Sequence, residues 1–374
     1  MIKRIIEETI KSRLNSGKAI ILLGPRQTGK TTLLEKIAGE LGNYLFLNCD
    51  DLFVRDQLEN ANTETLKQII GKYETVFIDE AQRVKNIGLI LKIIVDRIKN
   101  VRLLVSGSSA LELANEINEP LTGRKWEYML FPISWAEMIN NTDFLSSQQQ
   151  LQQRLIIGMY PEIINNPGDE EEILKQLTSS YLYKDLLSLK EIRKPEILPK
   201  LLKALALQIG GEVSYSELAN ILNINKETVS SYIDLLEKSF IIFKLDAFSR
   251  NLRNEIARNK KIYFYDNGIR NALISNFNPL NTRQDSGALW ENFLMSERKK
   301  FLHYNKISVN SYFWRTKNQQ EIDYVEERGG KIYAFEFKYG TNTKAKIPKL
   351  FIETYKPETK IVTTENFNMF LTEQ

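Results

Sequence analysis

The sequence predicts an α/β protein: an N-terminal parallel sheet covered by helices, then a helical segment and a winged helix, then a second, smaller α/β domain. Three observations predict it. Residues 1–133 alternate helical and strand-like apolar patterns, the alternation that a parallel sheet with helices on both faces produces. Within them, Gly24-Pro25-Arg26-Gln27-Thr28-Gly29-Lys30-Thr31 fits GxxxxGK[ST] without a mismatch, between the apolar run 19–23 and the helical pattern Leu33-Leu34-Ile37-Ala38. Beyond residue 280 a helical pattern over 289–302 leads into three short strand patterns.

Helices are expected at 2–14, 30–41, 63–71 and 86–99, and strands at 18–23, 44–49, 75–79, 101–105 and 126–131, with Phe131-Pro132 closing the alternation. In the loop at 24–31, two glycines let the backbone curl so that its N–H groups and the following helix N-terminus face a polyphosphate. Lys30 is placed to reach the β and γ phosphates, and Thr31 to ligate Mg²⁺. The expected cofactors are therefore ATP and Mg²⁺, with Gly24, Pro25, Arg26, Gln27, Thr28, Gly29, Lys30, Thr31 and Thr32 as nucleotide contacts. The run 75–78 ends in Asp79-Glu80. Asp79 is expected to hold Mg²⁺ through water, and Glu80 to orient the attacking water as general base. Strand 101–105 delivers Ser106-Gly107-Ser108-Ser109 to the same sheet edge, so Ser106 or Ser108 is a candidate γ-phosphate sensor and Ser109 equally a helix cap. Arg124, just before the last strand, is an expected nucleotide contact that stabilises transition-state charge in cis or from a neighbouring subunit; a surface salt bridge fits it equally.

Composition narrows the class. The 374 residues are 43% hydrophobic and 26% charged, ordinary for a globular chain of two or three domains. No apolar stretch reaches the length of a membrane span, and Met1 to Glu8 carry acids in an amphipathic pattern, so a cytoplasmic protein without a membrane partner is expected. One cysteine, Cys49, rules out an internal disulfide, and with the single His303 it excludes a Cys/His zinc site. Net charge is +4, yet residues 250–374 hold 21 Lys and Arg against 14 Asp and Glu. That surplus favours a polyanionic partner for the C-terminal third, nucleic acid and DNA above all, although a solvated surface has the same composition. A homo-oligomer and a further protein partner stay open.

Residues 134–195 read as a helical lid or linker. A periodic helix at 197–208, the capping box Ser214-Tyr215-Ser216-Glu217, a turn through Asn223 and Asn225, and a helix at 226–238 make a helix-turn-helix. Strands at 240–248 and 261–265 flank a loop with Arg250, Arg253, Arg258 and Lys260, completing a winged helix over 196–266. Lys226, Glu227, Thr228, Ser230 and Ser231 would face the major groove and the loop would touch phosphates. In the last segment, 267–374, Glu336 and Lys338 lie on one face of strand 331–338, Asp323 lies across the hairpin, and Glu291 approaches from the helix. Carboxylates beside a lysine are what Mg²⁺-dependent phosphodiester cleavage needs, which makes Asp323, Glu336 and Lys338 candidate catalytic residues and Glu291, Asp323 and Glu336 candidate metal ligands beside Thr31 and Asp79.

Taken together, these residues resemble the prokaryotic AAA-type P-loop ATPases that carry a C-terminal DUF4143 region. Residues 22–32, 77–82, 106–109 and 121–124 look like the ATPase blocks. Residues 261–268, 287–292 and 321–338 look like the C-terminal blocks. The resemblance implies a P-loop ATPase core over 1–133 and a PD-(D/E)XK nuclease-like, restriction-endonuclease-like fold over 267–374, with Asp323, Glu336 and Lys338 at its acidic and lysine positions. Asn267 stands where Thr is common, and no Pro-Asp pair precedes Asp323. Two functions follow: an ATPase coupled to a nucleic-acid-binding or nuclease domain, or an ATP-driven switch whose C-terminal region binds nucleic acid or protein without cutting. A helicase, suggested by Asp79-Glu80-Ala81-Gln82, lacks a visible second nucleotide-facing domain after residue 140.

Overall fold

Apolar, β-branched runs become the strands β1 (Ala19–Leu23), β2 (Leu45–Asn48), β3 (Thr75–Asp79), β4 (Arg102–Gly107) and β5 (Lys125–Met129). They pair in the order β2-β3-β4-β1-β5, all parallel. β1 and β3 are buried along their whole length, as parallel strands covered on both faces must be. The computed structural model describes residues 2–107, 117–182, 192, 194–250, 260–341 and 344–372.

Helices Lys30–Glu40, Thr63–Ile70 and Ile87–Arg97 stand close to their expected places. Helix Leu52–Glu59 was not anticipated, because only Leu58 is buried and its sequence carries no core-facing period. It forms on a local signal instead: the Asp51 carboxylate accepts the Phe53 N–H at 2.8 Å as an N-cap. All strand directions being equal, the C-terminal ends of β1, β3 and β4 meet at one edge, with β4 between the other two. That arrangement sets the position of everything in the first site.

Contacts gather the chain into two compact units where the sequence suggested four segments: Met1–Asn141 with Lys238–Phe240, and Thr142–Glu237 with Ile241–Gln374. In the second unit, β6 (Glu212–Val213), β7 (Ile242–Ala247), β8 (Lys260–Phe264), β9 (Asn310–Arg315), β10 (Glu321–Arg328), β11 (Lys331–Phe337) and β12 (Glu358–Val362) form one sheet in the order β12-β11-β10-β9-β7-β8-β6. The winged-helix elements are present: helices Ile197–Leu207, Tyr215–Leu222 and Lys226–Lys238, the Ser214 cap on the Glu217 N–H, and the antiparallel pair β7 and β8. However, β7 also pairs in parallel with β9, Asp246 opposite Tyr312 and Ala247 opposite Phe313. The boundary expected at 266/267 therefore falls inside a continuous sheet. Two registered pairs are too short a signal to show in sequence.

The blocks at 261–268 and 287–292 are explained by packing. The Asn292 side chain accepts the Phe264 N–H at 2.7 Å and donates to the Phe264 carbonyl at 3.0 Å, docking helix Ser286–Tyr304 on β8. Asn267 receives Asn292 and donates to the Leu155 and Leu289 carbonyls, so an amide at this position ties three segments together. The buried Asp266 caps helix Asn267–Leu273 through the Ile269 N–H and also accepts the Met159 N–H at 2.7 Å. Gly158, at φ +76°, is required there, because a Cβ would lie 2.0 Å from Asp266 Oδ1.

Cys49, directly after β2, is fully buried, and burial together with the nearby Asp79 charge pushes its thiol up to about 12. At pH 8 the folded protein should leave Cys49 unreactive to a thiol-specific disulfide reagent and yield one equivalent only in denaturant; rapid native labelling would contradict this burial.

Candidate functional site

The loop after β1 is shaped by its glycines. Gly24 has φ +146°, and a Cβ there would lie 2.1 Å from the Leu130 carbonyl oxygen, so no larger residue fits against the start of the chain leaving β5. Gln27 and Gly29 also adopt positive φ (58° and 87°), curling the backbone before helix Lys30–Glu40. Thr28 is fully buried and its hydroxyl donates to the Pro25 carbonyl at 2.9 Å. The Lys30 ammonium, nearly buried, donates to the Gly24 and Pro25 carbonyls at 2.9 and 2.7 Å. Thr32 stands exposed on the first turn of the helix and Arg26 partly exposed on the loop.

Three elements converge on Asp79 at the end of β3. Thr31 Oγ1 donates to its carboxylate at 3.0 Å, and Ser106 Oγ, at the end of β4, donates to Oδ1. Burial raises the Asp79 pKa, and these two hydroxyl bonds oppose the shift. Next to it Glu80 sits in left-handed conformation at φ 51°, a strained place for a non-glycine residue. Its N–H donates to Ser106 Oγ at 3.3 Å, and Gln82 Nε2 donates to its carboxylate at 2.5 Å. Of the two serines named as candidate sensors, Ser106 stands at this sheet edge beside Asp79 and Glu80, and Ser108 lies outside the described residues. Gln82 was visible in the Asp79–Gln82 run but not assigned a part, and the structure makes it the group that orients Glu80.

Arg124 requires correction as a contact in cis. Ala19 donates to its carbonyl and Lys125 is opposite Ala19, so Arg124 stands at the start of β1, the end of the sheet away from the loop after Leu23. Its guanidinium pairs with Asp96 at 2.7 Å. A residue just before a parallel strand always reaches the edge opposite the strand's C-terminal loops.

The buried Arg4 went unnoticed in the sequence. It donates to the Thr28 carbonyl at 2.7 Å and the Phe131 carbonyl at 2.6 Å, and pairs through Nε with the fully buried Glu137 at 3.1 Å. Glu137 also accepts the Ile5 and Ser134 N–H groups, the latter within a capping box in which Ser134 Oγ accepts the Glu137 N–H. The back of the phosphate loop is therefore pinned by partners 24 to 133 residues apart, which no local pattern reveals.

In the second unit the structure brings the expected cluster together. Asp323 neighbours Glu336 across the β10–β11 register, its carboxylate accepts the Phe337 N–H at 2.7 Å, and Lys338 Nζ reaches Glu336 at 2.7 Å. The added member is Lys261 on β8. Its ammonium, 1% exposed, sits 2.9 Å from Glu291 and 2.6 Å from Glu321, with Asp323 within electrostatic reach. Tyr263 donates to Glu291 at 2.6 Å. Burial raises the Glu291 pKa to about 7 against the pull of Lys261; burial also raises Asp323, and burial with the Asp323 charge raises Glu336. Among the described residues no three His, Cys, Asp or Glu side chains are arranged to hold a metal ion. Two ammonium groups stand among these carboxylates, Lys261 beside Glu291 and Glu321, and Lys338 beside Glu336. Of the basic residues expected on the wing loop, Arg250 pairs with Glu327 at 3.4 Å and Lys260, the first residue of β8, with Asp246 at 2.7 Å, while Arg253 and Arg258 lie outside the described residues.

Residues 16–139 match the family described as AAA domain, 148–280 a domain of unknown function (DUF8612), and 286–373 a domain of unknown function (DUF4143). An uncharacterized protein of Mycobacterium tuberculosis is 25% identical over 335 residues, 88% of this chain and 72% of that one. One of Methanocaldococcus jannaschii is 24% identical over 350 residues, 86% of this chain and 75% of its own. Among solved structures, a Walker-type ATPase of Pyrococcus abyssi superposes with a TM-score of 0.51 at 17% identity, covering 73% of this chain and 96% of that chain, a likeness of fold.

The Arg4–Glu137 pair carries a stability expectation. Arg4→Ala leaves the Glu137 carboxylate buried without its guanidinium, and should lower the unfolding free energy of the first unit by about 3–5 kcal/mol in a denaturant titration. A loss under about 1 kcal/mol would show that the pair does not hold the loop.

Proposed function

We infer that this chain, an AAA domain joined to a C-terminal DUF4143 region, is an Mg²⁺-dependent ATPase whose second unit binds nucleic acid without cutting it. The observation that carries the first half is the meeting of Thr31, Asp79 and Ser106 beside the Lys30 loop. The residues present fit the nucleotide and its metal. Gly24 leaves no room for a side chain, positive φ at Gln27 and Gly29 turns the loop backbone, and a hydroxyl, a carboxylate and an ammonium lie together at one sheet edge. Lys30 and the loop N–H groups would hold the phosphates, with Thr31 and Asp79 holding the metal. Bound Mg²⁺ supplies neutralisation of phosphate charge.

The remaining chemistry belongs to side chains of this unit. Glu80 is the group to accept a proton from the attacking water, and Gln82 with the Ser106 hydroxyl holds its carboxylate and backbone in place. Ser106 contacts both Asp79 and the Glu80 N–H, so a shift of its hydroxyl is felt by metal ligand and base together. Lys30 is the counter-charge for the phosphates; on their arrival it exchanges backbone carbonyls for phosphate oxygens.

The basic surplus of the C-terminal third and the winged-helix elements support nucleic-acid binding by the second unit. Lys261 favours binding without cleavage: a buried ammonium already pairs with Glu291, one of the carboxylates that a catalytic metal would need.

Lys30→Ala should abolish ATP binding in a calorimetric titration, whereas Glu80→Gln should retain it and lower turnover about 10²–10⁴-fold; unchanged turnover in Glu80→Gln would remove the base assignment. Incubated with single- or double-stranded DNA and Mg²⁺ or Mn²⁺, with and without ATP, the full chain should leave the DNA intact. Cleavage that Asp323→Ala abolishes would instead establish a live nuclease site.

A further inference from the structure

Ion pairing divides the basic surplus of the C-terminal third into two kinds. Many of its cations are matched inside the fold: Arg298 holds Glu326, Arg270 and Arg283 share Asp285, Lys300 holds Glu297, and Lys331 holds Glu358. Among the described residues of this third, the exposed lysines without an ion pair are Lys306, Lys317, Lys346, Lys349 and Lys356. These keep a whole charge for a partner.

Topology sorts them. β9 and β11 both run antiparallel to β10, and β12 runs parallel to β11. Lys306 precedes β9 and Lys356 precedes β12, at one end of the sheet. Lys317 follows β9, in its turn to β10, while Lys346 and Lys349 follow β11, at the other end, where Asp323 and Glu336 stand. Apolar anchors fix the last two lysines there. Trp314, Ile322, Val325, Ala334, Ile347 and Phe351 belong to one buried cluster, and the Phe351 ring lies 5.0 Å from that of Trp314, the last residue but one of β9. Ile347 and Phe351 thus cap the apolar part of one sheet face. Ala334 and Glu336 share that face of β11, and Asp323 neighbours Glu336, so the carboxylates begin where the cap ends. Lys346 and Lys349, on either side of Ile347, are exposed beside that boundary.

The winged helix offers phosphates less. Its helix Lys226–Lys238 carries two lysines against three acids, a formal charge of −1. Asp234 and Glu237 both hold Lys244 at 2.6 Å, and with that lysine counted the surface is neutral.

We propose that the sheet end bearing Lys317, Lys346 and Lys349 is where the second unit takes the sugar-phosphate backbone of nucleic acid, the three ammonium groups pairing with phosphates beside the Asp323 cluster. The inference rests on the nucleic-acid reading above and names the surface that carries it. Contacts of this kind position a strand without reading its sequence. Each also releases counterions, so log affinity falls against log salt by about 0.9 per phosphate neutralised on a duplex and about 0.7 on a single strand.

The test is fluorescence anisotropy of the full chain with a labelled oligonucleotide of one sequence, as single-stranded DNA, duplex DNA and single-stranded RNA, in EDTA and rising KCl. The probe bound best identifies the nucleic acid. Lys317→Gln, Lys346→Gln and Lys349→Gln together should weaken that probe at least about tenfold in low salt and flatten its salt slope by about 2–3. Lys238→Gln, Lys306→Gln and Lys356→Gln together remove the same charge elsewhere and should weaken it less than about threefold. Circular dichroism should be unchanged in both variants. Binding that the first variant leaves intact, or that the second weakens equally, overturns the proposal and leaves the nucleic-acid reading standing. No binding of any probe by the parent overturns both.

Discussion

A buried carboxylate must be held by donors or it takes up a proton, and Asp79 is where this constraint organises the first unit. Its partners come from two other strand ends: Thr31 from the helix after β1 and Ser106 from β4. They reach it only because β4 lies between β1 and β3 and all three run the same way. Moving any strand by one place would strand the carboxylate. The loop geometry depends on the same edge, since Gly24 packs against the Leu130 carbonyl beside β1 and Arg4 pins Thr28 from behind. The strained backbone of Glu80 is tolerable for the same reason, its N–H being received by the hydroxyl that also serves Asp79.

The second unit meets the opposite problem, a surplus of carboxylates in a nearly closed space, and meets it with an internal cation. Lys261 loses hydration on burial, and Glu291, Asp323 and Glu321 more than offset that loss, keeping its pKa above the ordinary lysine value. Tyr263 and the Phe337 N–H satisfy further oxygens of the group. A cluster with the residue types of a metal site thus carries a cation of its own, and residue spacing alone does not show it, because the partners of Lys261 come from other elements.

Much of the first site was legible in the sequence because its signals are local. The glycine-lysine loop, the β-branched run before Asp79 and the serine at the end of β4 each sit at a strand end that periodicity locates within a residue or two. Arg124 shows the limit of that logic: its proximity to a strand was read without the strand's direction, and direction placed it at the far edge beside Asp96. Arg4 and Glu137 were invisible for a different reason, being partners across 133 residues with no shared motif. In the second unit the pairing of Glu336 with Lys338 followed from strand periodicity. Lys261 did not, because its meaning lies in helix Ser286–Tyr304 and β10, which bring Glu291 and Glu321 to it. A lysine inside the otherwise apolar run 261–265 was the available sign.

The central claim is that the Asp79 edge is a working nucleotide site, and phosphate release by the unmodified full chain tests it most directly. Measured with ATP in Mg²⁺ and again with the metal chelated by EDTA, the account predicts slow, saturable release in the first condition and none in the second. Release that persists unchanged in EDTA, or a chain that neither binds ATP nor releases phosphate at millimolar nucleotide, would contradict it.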